Sequence, residues 1–177
     1  GGTTVVNWTS SFRTPPQTLK HWAQAHGVTG WSEAEAKPFF DERSVRLGVA
    51  PWLAPPNANN SVLQKGCETM GWEWHAIPRN VRGCWNSGYC GYGCPVNAKQ
   101  SMLVSSIPAA LGKGATLVHH LSARRFAFEG GTVAALHARA LDVDCIHPSG
   151  AEVTVRARHF VMAGGAINNP ALLLRSG

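Results

Sequence analysis

The sequence predicts an α/β chain, more narrowly an α+β fragment in which helices come first and a β-meander follows. Three observations carry this. Helix-capping signatures followed by apolar residues at spacings of three and four recur before Gly71. From Ala115 onward the pattern changes to alternation, with Gly130-Gly131 and Ser149-Gly150 as turn signals. Last, the apolar run Phe160-Val161-Met162-Ala163 meets Gly164-Gly165 and then an Asn-Pro pair, as a strand does when it feeds a helix through a tight turn.

Taken in order, residues 1–14 form an extended, glycine-opened segment. Thr14-Pro15-Pro16-Gln17 then starts a helix, with Thr14 as N-cap, and Leu19, Trp22 and Ala23 form its apolar stripe before Gly27 ends it. Ser32-Glu33-Ala34-Glu35 is a capping box for a second helix, which Pro38 is expected to kink or shorten. Pro51, Pro55 and Pro56 mark a loop. Asn60 is the expected cap of a third helix, closed by Gly71. The glycine-rich stretch 81–98 reads as a loop and Gln100–Leu111 as a helix. Strands are expected over Thr116–His119, Arg125–Phe128, Thr132–Ala140 and Val153–Met162, the last buried at Phe160–Ala163, with Pro170 in the first turn of the closing helix.

The chain has 177 residues, 44% hydrophobic and 15% charged, which suits a packed core and excludes disorder. No apolar run approaches the roughly 20 residues of a membrane span, and no signal peptide precedes the first residues. Both ends read as cut: Gly1-Gly2-Thr3-Thr4 opens inside a loop, and Leu172–Arg175 stops inside a helix. The compartment therefore stays unknown. The formal charge of +6 permits an anionic partner. The basic residues come as short pairs (Arg79/Arg82, Arg124/Arg125, Arg156/Arg158) without interleaved aromatics, so no nucleic-acid partner is expected.

Read in chain order, three blocks stand out: Gly1-Gly2-Thr3-Thr4-Val5-Val6-Asn7-Trp8, the segment Cys90–Ser101, and Ala163–Gly177. Together they resemble the glucose–methanol–choline (GMC) oxidoreductase family. The first looks like that family's GGS/T-x-x-x-N flavin loop. The last resembles its signature Gly-Ala-x-x-Ser-Pro-x-Leu-Leu-x-Ser-Gly, with Asn169 where serine is usual. The resemblance runs from Gly1 to Gly177. It implies an incomplete FAD/NAD(P)-binding Rossmann-like domain with a β-meander and helical substrate-domain elements. Its expected parts are a flavin loop (1–14), a helical and loop segment with the cysteines (15–114), and the meander with the closing strand–helix (115–177).

The resemblance further implies an FAD-dependent enzyme that oxidises CH–OH groups of a small-molecule alcohol by hydride transfer to flavin N5. Gly1, Gly2 and Thr3 would lie along the pyrophosphate and ribityl chain, with Asn7 near the isoalloxazine. Ala123, where valine is usual, would meet the adenine through its backbone. Gly164 and Ala166 would flank the phosphate and ribose. The family's first Rossmann strand, its GxGxxG loop and its catalytic histidine should lie outside this stretch. None of the eight histidines here falls in a matching motif, so no catalytic residue is assigned. The electron acceptor (oxygen, quinone or cytochrome) stays open.

The spacing Cys84-x5-Cys90-x3-Cys94 leaves alternatives open. Thiolates on a glycine-rich loop suit zinc or an iron–sulfur cluster, with Cys67 or His75 as further ligands; structural thiols or one disulfide are the other reading. Long-chain alcohol oxidases show a similar loop with no metal implied, whereas some bacterial flavin sugar dehydrogenases carry three cysteines around a three-iron cluster. The surrounding residues look closer to the former, so no metal ligand is assigned. The rival function is a cysteine-cluster metal-binding module without flavin chemistry. Cys67 and Cys145 are expected to be buried apolar fillers.

Overall fold

The computed structural model describes residues 3–177, which divide into two units, the first ending at Ala115 and the second running Thr116–Gly177. Helices and antiparallel sheets are mixed, as the sequence predicts.

In the first unit a 3-10 turn at Thr3–Val5 leads to α1 (Pro16–His26) and α2 (Glu33–Leu47). Helix α1 enters from Pro15 in an extended conformation with no side-chain cap, so Thr14 is not its N-cap. Proline at the cap and first position brings no amide hydrogen that would need a partner, and the helix starts without one. Gly27, at φ 63°, closes it. Helix α2 has the predicted capping box between Ser32 and Glu35 and runs unbroken through Pro38. Pro38 removes one i→i−4 bond, but the box before it and the Lys37–Asp41 pair across it hold the helix on both sides. Helix α3 (Ala58–Met70) is capped by Asn57, whose Oδ1 accepts from Asn60 N at 2.9 Å, rather than by Asn60 itself.

Two short strands were not legible in the pattern. β1 (Val49–Pro51) pairs antiparallel with β2 (Pro78–Asn80), so Pro51, expected in a loop, instead faces Pro78 at the end of a ribbon. Beyond it, Val81 bridges Lys99, Arg82 N donates to Ala98 O, and Gln100 N donates to Asn80 O. This pairing engages the backbone of 98–100, which explains why α4 is only Ser106–Leu111 and not Gln100–Leu111.

Asp41 accepts from Lys37 Nζ at 2.6 Å and Arg13 Nη2 at 2.7 Å. These two bonds, Lys37 first, hold its carboxyl below the usual aspartate range. A depressed carboxyl contributes stability above its ordinary value and loses it as pH falls through the lowered one. We expect the Asp41 carboxyl carbon to titrate below about 3.9 by NMR, and the double variant R13A/K37A to return it to that value. An unchanged midpoint in the variant would show that these contacts do not form in solution.

The second unit is a three-stranded antiparallel sheet, β3 (Leu121–Glu129), β4 (Thr132–Leu141) and β5 (Pro148–Val155), in that order, with α5 (Gly165–Leu174) against β3. Phe126, Ala135, Ala138 and Leu172 are its buried apolar residues. Thr116–His119 forms no strand; β3 starts at Leu121 and is longer than expected. Ser149-Gly150 lies within β5, and the turn before it is made by Asp144, whose Oδ1 accepts from Ile146 N and His147 N.

Phe160–Ala163 is not a buried strand: it has no regular structure, and Val161 is 90% exposed. A strand needs a neighbour for its backbone groups, and no strand among the described residues pairs with it. Helix α5 begins at Gly165, at φ 87°, so Pro170 falls inside the helix rather than in its first turn. Among the described residues no helix is long and apolar enough to cross a membrane.

Candidate functional site

In the first unit, the N-terminal loop is tied down by residues far along the chain. Lys99 is 3% exposed, and its ammonium donates to Val5 O and, at 2.7 Å, to Cys90 O. Met102 N donates to Thr4 Oγ1 at 3.2 Å. Thr9 is fully buried; its Oγ1 accepts from Arg79 Nε at 2.5 Å and donates to Trp8 O at 2.5 Å. Arg79 also stacks over the Trp52 ring at 4.1 Å and reaches Cys90 Sγ through Nη2 at 2.9 Å. Asn80, 3% exposed, accepts from Ser11 Oγ and donates to Gln100 O. Trp8 and Thr9 both have positive φ, 54° and 66°, an uncommon state for a non-glycine residue and a costly one for β-branched threonine. The Trp8 ring covers Gly91 so closely that a Cβ there would lie 2.6 Å from it.

Of the site positions read from the sequence, Gly1 and Gly2 lie outside the described residues. Thr3 opens the 3-10 turn and is exposed. Asn7 is half-buried, and its Oδ1 accepts from Thr9 N at 3.2 Å. This bond helps hold the turn that carries Trp8 and Thr9. Arg79, Lys99, Asn80 and Thr9 were given no role from the sequence. The only signal was that Lys99 lies within the quoted block Cys90–Ser101; partners 70 to 94 residues apart leave no periodic trace.

The cysteines do not gather as metal ligands. Among the described residues no three His, Cys, Asp or Glu side chains converge where a metal ion could sit. All five thiols are free. Cys84 is exposed, accepting from Asn86 N at 3.4 Å, while Cys90 and Cys94 are half-buried. Cys145 is exposed and Cys67 half-buried, so neither is the buried filler expected.

In the second unit, Ala123 and Gly164 line one cavity of about 530 Å³ together with Arg124, Phe160, Asn168 and Arg175. That volume lies within the range of small-molecule sites. A register shift between Ala123 and Arg125 bulges β3 at Arg124, whose carbonyl accepts from Arg175 Nε at 3.0 Å. Bulges of this kind re-aim a strand at its edge. Phe126 and Phe160 pack edge to face, ring centres 5.8 Å apart. In the glycine turn before α5 the amide of Gly164 is taken: Gly164 N donates to Asn169 Oδ1 at 2.8 Å, and Asn168 Nδ2 donates to Gly164 O. The asparagine that stands in place of serine thus closes the turn on itself. A Cβ at Gly164 would approach Asn169 Oδ1 to 3.0 Å. Ala166 is exposed and does not line the cavity. The cavity offers an aromatic wall at Phe126 and Phe160 and two arginines, Arg124 and Arg175, a combination that suits a flat, anionic or nucleotide-like ligand.

The sequence profile of the family described as GMC oxidoreductase matches residues 1–177. Similar proteins include a long-chain-alcohol oxidase of Arabidopsis thaliana, 31% identical over all of this chain and 24% of its own length. A GMC-type oxidoreductase of Mycobacterium tuberculosis is 32% identical over all of this chain and 27% of its own. An oxygen-dependent choline dehydrogenase of Staphylococcus aureus is 26% identical, again over all of this chain and 32% of its own length. The chain thus spans about a quarter of the length of the first two relatives. No solved structure matches it significantly.

Proposed function

Because the chain belongs to the GMC oxidoreductase family, we propose that its protein is an FAD-dependent oxidoreductase acting on the CH–OH group of an alcohol. The observation that carries this reading is the cavity of the second unit. Ala123 and Gly164, which the family resemblance assigns to the adenosine part of FAD, lie on the wall of one space of about 530 Å³. The residues fit that group: Phe126 and Phe160 give the wall beside Ala123 an aromatic face for a flat ring, and Arg124 and Arg175 supply positive charge for phosphate. Ala166, outside the cavity wall, is the weaker part of the assignment.

When bound, FAD supplies the acceptor for the carbon-bound hydrogen of the alcohol. The chain's own contribution is placement. Thr3 and Asn7, with Gly1 and Gly2, are proposed to serve the flavin half. The Asn7 carboxamide has its oxygen held by Thr9 N, and its NH₂ group has no partner among the described residues, which leaves donors for the cofactor. The buried Lys99 and the half-buried Arg79 fix the loop that carries it. In the same reading, 1–14 is the flavin loop, 15–114 the helical segment and 115–177 the adenosine-side meander with its closing turn. The base that takes the hydroxyl proton is assigned to no residue here, and the electron acceptor is left open. A long-chain alcohol is the substrate class suggested by the plant relatives.

The full-length protein, purified without added cofactor, should show absorbance bands at roughly 370 and 450 nm and release FAD on heating. Anaerobic addition of a long-chain primary alcohol should bleach the longer-wavelength band. A protein that neither purifies with flavin nor takes it up would overturn the proposal. Flavin without bleaching by any primary or secondary alcohol would overturn the substrate class.

A further inference from the structure

One wall of the cavity in the second unit is a segment that the sheet does not hold. Met162, Ala163 and Gly164 line the space, yet no strand among the described residues pairs with 160–163. Phe160 is placed by its ring, edge to face on Phe126. Beyond it, side chains of α5 fasten the chain. Asn169 uses both ends of its carboxamide: Oδ1 accepts from Gly164 N at 2.8 Å, and Nδ2 donates to Met162 O at 3.3 Å. Asn168 Nδ2 donates to Gly164 O at 3.2 Å. The packing is close, since a Cβ on Gly164 would meet Asn169 Oδ1 at 3.0 Å and Asn168 Cβ at 3.4 Å. The helix is in turn anchored on β3. Leu172 is buried, Phe126 N donates to Ser176 Oγ at 2.8 Å, and Arg175 Nε donates to Arg124 O at 3.0 Å. Only a carboxamide presents an acceptor and a donor side by side in this way; alanine has neither, and serine has a single oxygen that cannot span both backbone atoms.

We propose that Asn169 is a positioning residue for the adenosine half of FAD. It carries the anchorage of α5 over to the backbone of 162–164 and so forms that wall of the cavity before the ligand arrives. This role rests on the reading of the cavity as the adenosine site, and adds which residue sets its shape. A ligand that meets a loose wall has to order it, and the backbone entropy lost in doing so comes out of its affinity. With the wall already fastened, that cost falls on folding instead. Gly164 N is occupied by Asn169 and is not offered to the phosphate; Arg124 and Arg175, on the same cavity, carry the positive charge. Affinity and stability should therefore separate. The segment is exposed, with Val161 at 90%, so freeing it uncovers little apolar surface. Replacing Asn169 with alanine also puts a better helix former inside α5, which offsets the lost bonds in the stability of the unit.

The test uses the full-length protein stripped of flavin and titrated separately with FAD and with ADP, which carries the half of the cofactor assigned to this cavity. Asn169→Ala should weaken both ligands by a similar factor, on the order of tenfold, while the urea midpoint stays at the wild-type value. Asn169→Ser, which keeps one oxygen, should fall between the two. Hydrogen exchange on the ligand-free protein should show the amides of 162–165 exchanging faster in Asn169→Ala than in wild type. If Asn169→Ala binds FAD and ADP as tightly as wild type, or if those amides exchange no faster, the proposal is overturned. It is overturned as well if FAD is weakened and ADP is not, because the loss would then lie outside this cavity. A fall in affinity that comes only with a lower urea midpoint would show that Asn169 serves the fold alone. A wild type that takes up no FAD overturns the flavin reading and this role with it. That failure appears in the wild type and the others only in the variants, so the two are distinguishable.

Discussion

Replacing Lys99 with methionine should lower the stability of the first unit by on the order of 2 kcal/mol, seen as a lower midpoint in urea unfolding. Hydrogen bonds from a charged donor are worth about 1.5–3 kcal/mol each, and Lys99 gives one to Val5 O and one to Cys90 O. Against this, methionine keeps most of the apolar stem and removes an ammonium that is 3% exposed and expensive to desolvate. The two effects oppose each other, and the bonds win because both carbonyls are left without their donor. Lys99→Ala should cost more, since it adds a cavity to the lost bonds. Lys99→Arg is a sharper control: it keeps the charge but places a planar fork where a point donor sits between two carbonyls, and it should recover only part of the loss. If Lys99→Met unfolds at the wild-type midpoint, the ammonium is not what anchors the N-terminal loop.

The sequence and the structure part company for a physical reason that Lys99 illustrates. Features set by neighbours along the chain were legible. The Ser32–Glu35 capping box and the glycine closures at Gly27 and Gly71 appear where the residues placed them, as does strand β4. Each depends on contacts within about four residues. What was not legible depends on distant partners. The ribbon of β1 and β2 joins Val49 to Asn80, and the expected helix at Gln100 fails because Gln100 N is drawn to Asn80 O. Phe160–Ala163 errs in the opposite direction. Its composition is that of a strand, but among the described residues it has no strand to pair with, and composition alone cannot supply one. The candidate site divides the same way. Ala123 and Gly164 could be taken from the family resemblance because they lie in quoted or matched segments. The residues that hold the N-terminal loop in place could not, because Arg79 and Lys99 read simply as basic residues until the fold brings them to Thr9 and Val5.

Thr9→Val should be the second large loss, about 2–3 kcal/mol from removing the acceptor of a charged donor at a fully buried site. Valine matches threonine in shape and in its β-branch, so the strain at φ 66° and the packing are unchanged and only the hydroxyl is lost. That hydroxyl serves two partners, accepting from Arg79 Nε and donating to Trp8 O, so both are left without it inside the protein. Thr9→Ser provides the contrast. It keeps the hydroxyl and removes the branch that disfavours positive φ, so it should stay within about 1 kcal/mol of wild type. The pair of variants also bears on the flavin reading. Thr9 N holds the Asn7 carboxamide, and loosening Thr9 frees the side chain proposed to meet the cofactor. Thr9→Val in the full-length protein should therefore release FAD at lower denaturant than wild type, while Thr9→Ser retains it. Equal stability of the two variants would show that backbone strain, not the hydroxyl, governs this loop. Equal flavin retention despite unequal stability would detach the loop from cofactor binding.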